Sequence, residues 1–234
     1  MATTSASSDA PAHPTWARPT PWDAAVLGVP SFELTDTSAA ALSWASRQRG
    51  HHTVRVDPLA CTRALHAHGF YYCDTLVEPY CQAAWFIEHP HPAVALHPSP
   101  ALAELEAMAS GAFVHGRFHR DPYVPRAQAE QRYRQWLGQL HGAGKVWGIS
   151  MQQQVQGFVA VEGNQLVLHA LAEGARGRGW AKYCWSPLCR LLFEQGQTEL
   201  RSSISASNLA VLNLYASLGF KFRHPQDLYH RLSP

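Results

Sequence analysis

The chain has 234 residues, 46% of them hydrophobic and 15% charged, so it is long and apolar enough to bury a core and is not a disordered polymer. A formal net charge of +2 excludes a broad nucleic-acid footprint. No apolar run approaches the roughly 20 residues of a membrane span.

Residues 1–20, MATTSASSDAPAHPTWARPT, are small, polar and proline-bearing. They lack the apolar centre of a secretory signal and read as a disordered tail on a cytoplasmic protein. Residues 21–90 read as a smaller supporting α/β region. Within them RALHAHGFYY (63–72) parallels NLYASLGFKF (213–222), both running from a helical turn through Gly-Phe into a strand. Aligning the Gly-Phe pairs sets Leu65 opposite Tyr215, which reads as one supersecondary unit occurring twice, the first copy degenerate or supporting. A chance match of so few residues remains the competing reading.

Five cysteines, Cys61, Cys73, Cys81, Cys184 and Cys189, form no CxxC pair, and an odd count favours reduced structural thiols. His89, His91 and His97 cluster in EHPHPAVALHP, but the His-Pro pairs force extended backbone and the spacing fits no common metal site. No metal is expected.

From residue 91 onward the pattern sharpens. PAVALHPSP (92–100) reads as a short strand ending in a Ser99 cap, and ALAELEAMASGAF (101–113) carries helical apolar spacing. A loop over 114–126 holds Gly116, Asp121-Pro122 and Pro125. A helix is predicted over 127–140, strands over 145–152, 154–164 and 165–173, and a glycine-rich bend over 174–179. Ala181, Cys184, Leu188 and Leu191 then mark one buried helix stripe, with Pro187 inside it. A strand over 198–205, a helix over 208–219 closed by Gly219, and a strand over 220–232 complete the chain.

The bend Gly174-Ala175-Arg176-Gly177-Arg178-Gly179 joins a strand to a helix, where free backbone N–H groups and the helix dipole favour an anion. The nucleotide P-loop needs Lys and Ser/Thr where this chain has Trp180 and Ala181. The dinucleotide fingerprint needs a glycine where Lys182 stands. What fits is R-x-x-G-x-A, Arg176 to Ala181. This resembles the coenzyme A pyrophosphate loop of the GCN5-related N-acetyltransferase (GNAT) superfamily. SASNLAVLNLYASLGF (205–220) is similar to that family's later signature, with Asn208, Leu212, Leu214, Tyr215, Gly219 and Phe220 in place and Val211 standing where the pattern has alanine. The resemblance covers about residues 92–234.

A narrower likeness involves WDAAVLGVPSFEL (22–34), GRFHRDPYVPRAQAEQRYRQWL (116–137) and the early Gly-Phe unit. Together they resemble the dTDP-fucosamine N-acetyltransferases, with Gly116 in place of a serine.

The resemblance implies an α/β (α+β) fold whose central mixed sheet is flanked by helices and splayed at the coenzyme site, over residues 91–234. It implies direct transfer of an acetyl group from acetyl-CoA to a primary amine, with no acyl-enzyme. Leu171 and Ala172 would hold the pantetheine and acetyl carbonyl. Arg176, Gly177, Arg178, Gly179, Trp180 and Ala181 would hold the pyrophosphate, and Asn208 would touch the coenzyme or simply cap its helix. Tyr215 would protonate the leaving thiolate. Glu173 and His169 share a strand face and are the candidates for the base. Arg117, His119, Arg120 and Asp121 are the candidates for acceptor contact, two arginines suiting a diphosphate.

The acceptor is then a small-molecule amine, a dTDP-linked amino sugar first, with another metabolite, an antibiotic or a protein terminus as alternatives. A non-catalytic acyl-CoA-binding module is the competing class, since Trp180 and Pro187 depart from the family's usual helix start. Helix 127–140 and the N-terminal half offer surface for a homodimer.

Overall fold

The computed structural model describes residues 13–98 and 100–233. The N-terminal part runs β1 (Ala17–Pro19), α1 (Pro21–Leu27), β2 (Ser31–Leu34), α2 (Ala39–Arg47), β3 (Gly50–Val56), α3 (Arg63–Ala67) and β4 (Tyr71–Gln82). The remainder runs β5 (Val94–His97), α4 (Leu102–Ala109), α5 (Arg117–Arg120), α6 (Arg126–Gly142), β6 (Val146–Met151), β7 (Gln154–Glu162) and β8 (Gln165–Leu171). It closes with α7 (Ala181–Glu194), β9 (Glu199–Ser202), β10 (Ile204–Ser205), α8 (Leu209–Ser217) and β11 (Lys221–Ser233).

All strands join one mixed sheet in the order β1-β2-β3-β11-β4-β9-β8-β7-β6-β5, with β10 beside β4. The boundary drawn at residue 91 therefore falls within a continuous sheet, because β4 lies between β11 and β9. Within the segment expected as a tail, the described residues include β1, which pairs with β2, and Ala17 is buried in the N-terminal core with Trp16 packed against it. The Ser99 cap lies outside the described residues; α4 starts at Leu102 with no side-chain cap. The loop at 114–126 contains α5, a single turn whose Phe118 is buried.

The Gly-Phe parallel reappears as geometry. Gly69 and Gly219 adopt φ of +80° and +85°, a left-handed conformation that glycine takes without strain. Each closes its helix the same way: Phe70 N–H donates to Leu65 C=O and Phe220 N–H to Tyr215 C=O, both at 3.0 Å. The strands that follow, β4 and β11, lie antiparallel, with Tyr71 opposite His230 and Lys221 opposite Tyr80. Shifting either pair by the spacing between the two glycines produces the other, as a local two-fold axis requires. The flanks obey the same relation. β3 adjoins β11 and is parallel to β2, while β9 adjoins β4 and is parallel to β8.

Two cores sandwich the C-terminal part of the sheet. Phe158, Ala160, Leu168 and Ala170 face α4 and α6, while Val159, Leu166 and Ile149 face α7 and α8. α7 buries Cys184, Trp185, Leu188 and Cys189, a wider stripe than the sequence spacing indicates, and runs unbroken through Pro187. Cys184 and Cys189 do not share a face, yet both are buried, because this helix is covered on two flanks.

Candidate active site

β8 and β9 pair only at Gln165–Arg201 and Leu166–Ser202. β8 continues to Leu171 while β9 ends at Ser202, so the two strands part beyond their first contacts. This is the splay, and the bend lies at the far end of β8.

In the bend Gly177 and Gly179 both have φ of +72°, and a Cβ added at either, or at Gly174, would meet open space. The glycines therefore answer to backbone conformation, not to crowding. Among the described residues the amides of 177–182 donate to no acceptor, and α7 begins with no side-chain cap. An uncapped 14-residue helix preceded by two left-handed glycines offers several free N–H groups and the positive end of a dipole. A pyrophosphate fits these donors.

The related connection from β2 to α2 shows why it holds nothing comparable. There Asp36 Oδ1 accepts the Ser38 N–H at 2.7 Å, and Ser38 Oγ accepts the Ala41 N–H at 3.3 Å. The donors are already used and a carboxylate stands where an anion would have to sit.

The predicted bend residues do not act alike. Arg176 turns back on the protein, donating from Nε to the Leu171 carbonyl at 3.0 Å and from Nη2 to the Met108 carbonyl at 3.2 Å. It shapes the bend. Arg178 lies over Trp180, 5.2 Å from guanidinium to ring, and is exposed, as is Glu173. The Ala172 N–H already donates to Gln156 C=O at 2.8 Å.

An open cavity of about 600 Å³ lies between α4, β7 and Ala172–Glu173, and another of about 330 Å³ touches Gly174, Arg178 and Trp180. Both border the tip of the β6–β7 hairpin, where Gln152 and Gln153 take φ of +54° and +67°. Such a turn ordinarily uses Asn-Gly, so two glutamines there hold strain of about 1 kcal/mol each.

Tyr215 is fully buried on α8, its hydroxyl 3.1 Å from His169 Nε2 on β8. The Trp185 ring meets His169 edge to face. Burial drives the Tyr215 phenol well above its ordinary value of 10 and pulls His169 down to about 4. At neutral pH the pair is a phenol and a neutral imidazole. Asn208 caps α8, its Oδ1 accepting the Val211 N–H at 3.3 Å. Burial also lifts the Cys184 thiol to about 11, which suits a packed side chain and not a nucleophile.

The four residues proposed for acceptor contact are distributed among separate tasks. Arg117 pairs with buried Asp23 at 3.6 Å, and His119 sits 3.2 Å from Glu130. Asp121 is buried against His230. Only Arg120 reaches toward the start of α8, where it holds buried Asp74 and lies 3.5 Å from Ser207 Oγ. Neither Arg117 nor Arg120 is free for a diphosphate, because each guanidinium already faces a carboxylate, Asp23 and Asp74.

In their place stands a network the linear sequence does not signal. Ser205 Oγ donates to Asp74 Oδ1 at 2.7 Å and lies 2.8 Å from Ser207 Oγ, which is 3.2 Å from His115 Nδ1. Asp74 comes from β4, His115 from the loop before α5, and the serines from β10 and the turn into α8. Burial raises the Asp74 carboxyl above its ordinary value despite these partners. The histidines near residue 90 do not converge: His89 bonds Ser217 C=O, His97 faces Ser150 Oγ, and His91 accepts the Ala93 N–H.

A splayed mixed sheet carries an uncapped strand-to-helix bend on one arm, and this fold is shared with solved acetyltransferase structures. Residues 112–220 match the sequence model of the acetyltransferase (GNAT) family. A GCN5-related N-acetyltransferase from Sphaerobacter thermophilus superposes with a TM-score of 0.55 at 13% identity, covering 77% of this chain and 59% of that one. A tandem GNAT protein from the clavulanic acid biosynthesis pathway gives 0.52 at 11%, covering 87% and 75%. A GCN5-related N-acetyltransferase from Kribbella flavida gives 0.56 at 12%, covering 88% and 82%. This chain thus spans under two thirds of the length of the Sphaerobacter protein. No curated protein sequence matches it. The fold is the GNAT fold, and residues 112–220 are similar in sequence to that acetyltransferase family. No helix among the described residues is long and apolar enough to cross a membrane.

Proposed function

We propose that the chain is an acetyl-CoA-dependent N-acetyltransferase that moves the acetyl group directly to a primary amine. The observation that carries this is the bend itself, where free amides at an uncapped helix start adjoin a splay closed by a buried tyrosine. Acetyl-CoA supplies an activated thioester carbonyl. The amine nitrogen bonds to that carbon, the C–S bond breaks, the nitrogen sheds a proton and the sulfur gains one.

The chain's own residues divide the remaining work. The amides from Gly177 to Lys182, with Arg178, neutralise the pyrophosphate, and Arg176 keeps the bend in shape. Tyr215 donates the proton to sulfur, its raised pKa keeping it protonated until then. His169 is a poor base with a pKa of about 4. Its better role is to hold the phenol: as an Nε2–H donor it leaves the tyrosine proton free and steadies the phenolate that forms. Glu173 is the remaining candidate for the base, reaching the amine through water.

For the acceptor, an amino sugar is the finer proposal. The hydroxyl-rich network of Ser205, Ser207, His115 and Asp74 supports a polyhydroxylated amine. A fungal enzyme region described as a glucosamine N-acetyltransferase shares the fold, with a TM-score of 0.52 and 15% identity over 77% of this chain. A nucleotide diphosphate on that sugar would have to draw Arg120 away from Asp74. Thiol release from acetyl-CoA with free amino sugars, dTDP-linked amino sugars and unrelated amines tests both levels. Release with any amine supports the activity. Release confined to amino sugars supports the acceptor, and the dTDP arm shows whether the nucleotide matters. Acetyl-CoA binding without turnover on any amine would favour the binding module.

A further inference from the structure

Away from the bend, three buried side chains converge on the seam between β3 and β11. His51 and His230 lie on these adjacent antiparallel strands as a diagonal pair, His51 opposite Leu232 and His230 opposite Thr53, their rings edge to face with centroids 4.6 Å apart. Asp121, the residue after α5, comes down onto them, its Oδ2 accepting from His230 Nδ1 at 2.7 Å. His51 Nδ1 lies 3.0 Å from Ser31 Oγ, which also receives the Thr20 hydroxyl at 2.8 Å. With both Nδ1 atoms engaged, both Nε2 atoms are fully buried and have no partner.

That arrangement is costly as it stands. Asp121 fixes the proton of His230 on Nδ1, so its Nε2 presents a bare lone pair. A buried polar atom with no partner is unfavourable, and here two occur on neighbouring rings. A cation held between the two rings relieves it.

We propose that His51, His230 and Asp121 form a site for a divalent transition metal of the zinc class, tying the turn after α5 to β3 and β11. The three residues can each offer one ligand atom, all within 4.8 Å of one another. A tetrahedral ion about 2.0–2.2 Å from nitrogen and oxygen ligands needs separations of about 3.4 Å, so loading has Asp121 exchange its bond to His230 Nδ1 for the ion while the more distant ligand atoms move together. Two imidazoles and one carboxylate select zinc, cobalt or nickel over magnesium and calcium, which prefer oxygen throughout. Arg117 and Arg132 stand nearby, but both are paired with Asp23, which offsets the positive charge the ion would meet. The site holds the segment that carries Arg120 to Asp74, so loading stiffens the wall beside the start of α8. It does not depend on the acetyltransferase reading.

The test uses tag-free full-length protein dialysed against Zn²⁺ or Co²⁺ and then against buffer. Expected are about one bound equivalent, a visible ligand-field band with Co²⁺, and a chelator-reversible rise in Tm of about 5 °C with Zn²⁺. His51→Gln and His230→Gln should each weaken binding at least tenfold. Because either variant could fail to fold, X-ray absorption on the zinc-loaded wild type counts the imidazoles directly. Two support the site; none or one overturns it, as does a wild type that retains no metal or variants that bind as tightly as wild type.

Discussion

Replacing Tyr215 with Phe removes one oxygen from a fully buried side chain and leaves the ring in place. The structure gives that oxygen His169 Nε2 at 3.1 Å and a further hydrogen bond with the Ser202 side chain. Losing such a bond costs about 1 kcal/mol of stability, or roughly 2–4 °C in Tm for a chain of this size. Losing a general acid costs about 10²–10⁴ in rate, equivalent to about 3–5.5 kcal/mol of barrier. The two effects are therefore separable, since the variant stays folded at 25 °C while turnover collapses. The assay is thiol release at saturating acetyl-CoA and acceptor, with calorimetric binding of acetyl-CoA alongside. Expected are a fall of at least a hundredfold in kcat and a coenzyme Kd within about twofold of wild type. A kcat within about threefold of wild type would refute the reasoning, showing that the thiolate leaves without the phenol.

The other predictions rest on different parts of the molecule. Gly179→Ala forces a side chain into φ of +72° and should cost about 1–2 kcal/mol and weaken acetyl-CoA binding about tenfold or more, read by thermal melting and calorimetry. Unchanged affinity would argue that the bend does not hold the pyrophosphate. Gln153→Gly relieves a left-handed glutamine and should raise stability by about 1 kcal/mol in denaturant unfolding, unless a ligand contact there opposes it. Acid should destabilise the fold early. His52 and His169 have folded pKa values of about 4 against 6.5 for the free side chain, so below pH 6.5 the unfolded chain binds protons that the native state refuses. Their contribution is whole above pH 6.5, falls by at most about 1.4 kcal/mol per pH unit for each histidine down to pH 4, and changes no further below that. Urea midpoints between pH 7 and 4 would show it, and a flat profile would contradict it.

Much of this protein is written in local sequence. Gly177 and Gly179 announce a bend that only glycine adopts freely, and Asn208 and Gly219 mark the two ends of α8 by capping chemistry that needs no tertiary partner. The alternation in 145–173 shows three strands because each has one face in each core. The Gly-Phe parallel also lies in the sequence, since its hydrogen bonds close within five residues. Other features depend on contacts between distant segments. That β4 crosses to lie against β9 and β11 follows from a two-fold pairing of two whole units. Arg117 and Arg120 look like free cations in a polar loop, yet each is drawn to a carboxylate, Asp23 and Asp74, that nothing nearby in the sequence supplies. The Asp74–Ser205–Ser207–His115 network and the His51–His230–Asp121 cluster unite chain segments about 40 to 180 positions apart. Such sites arise where strands and loops meet, and their chemistry is set by burial, which removes water as a competing partner and makes each remaining contact count.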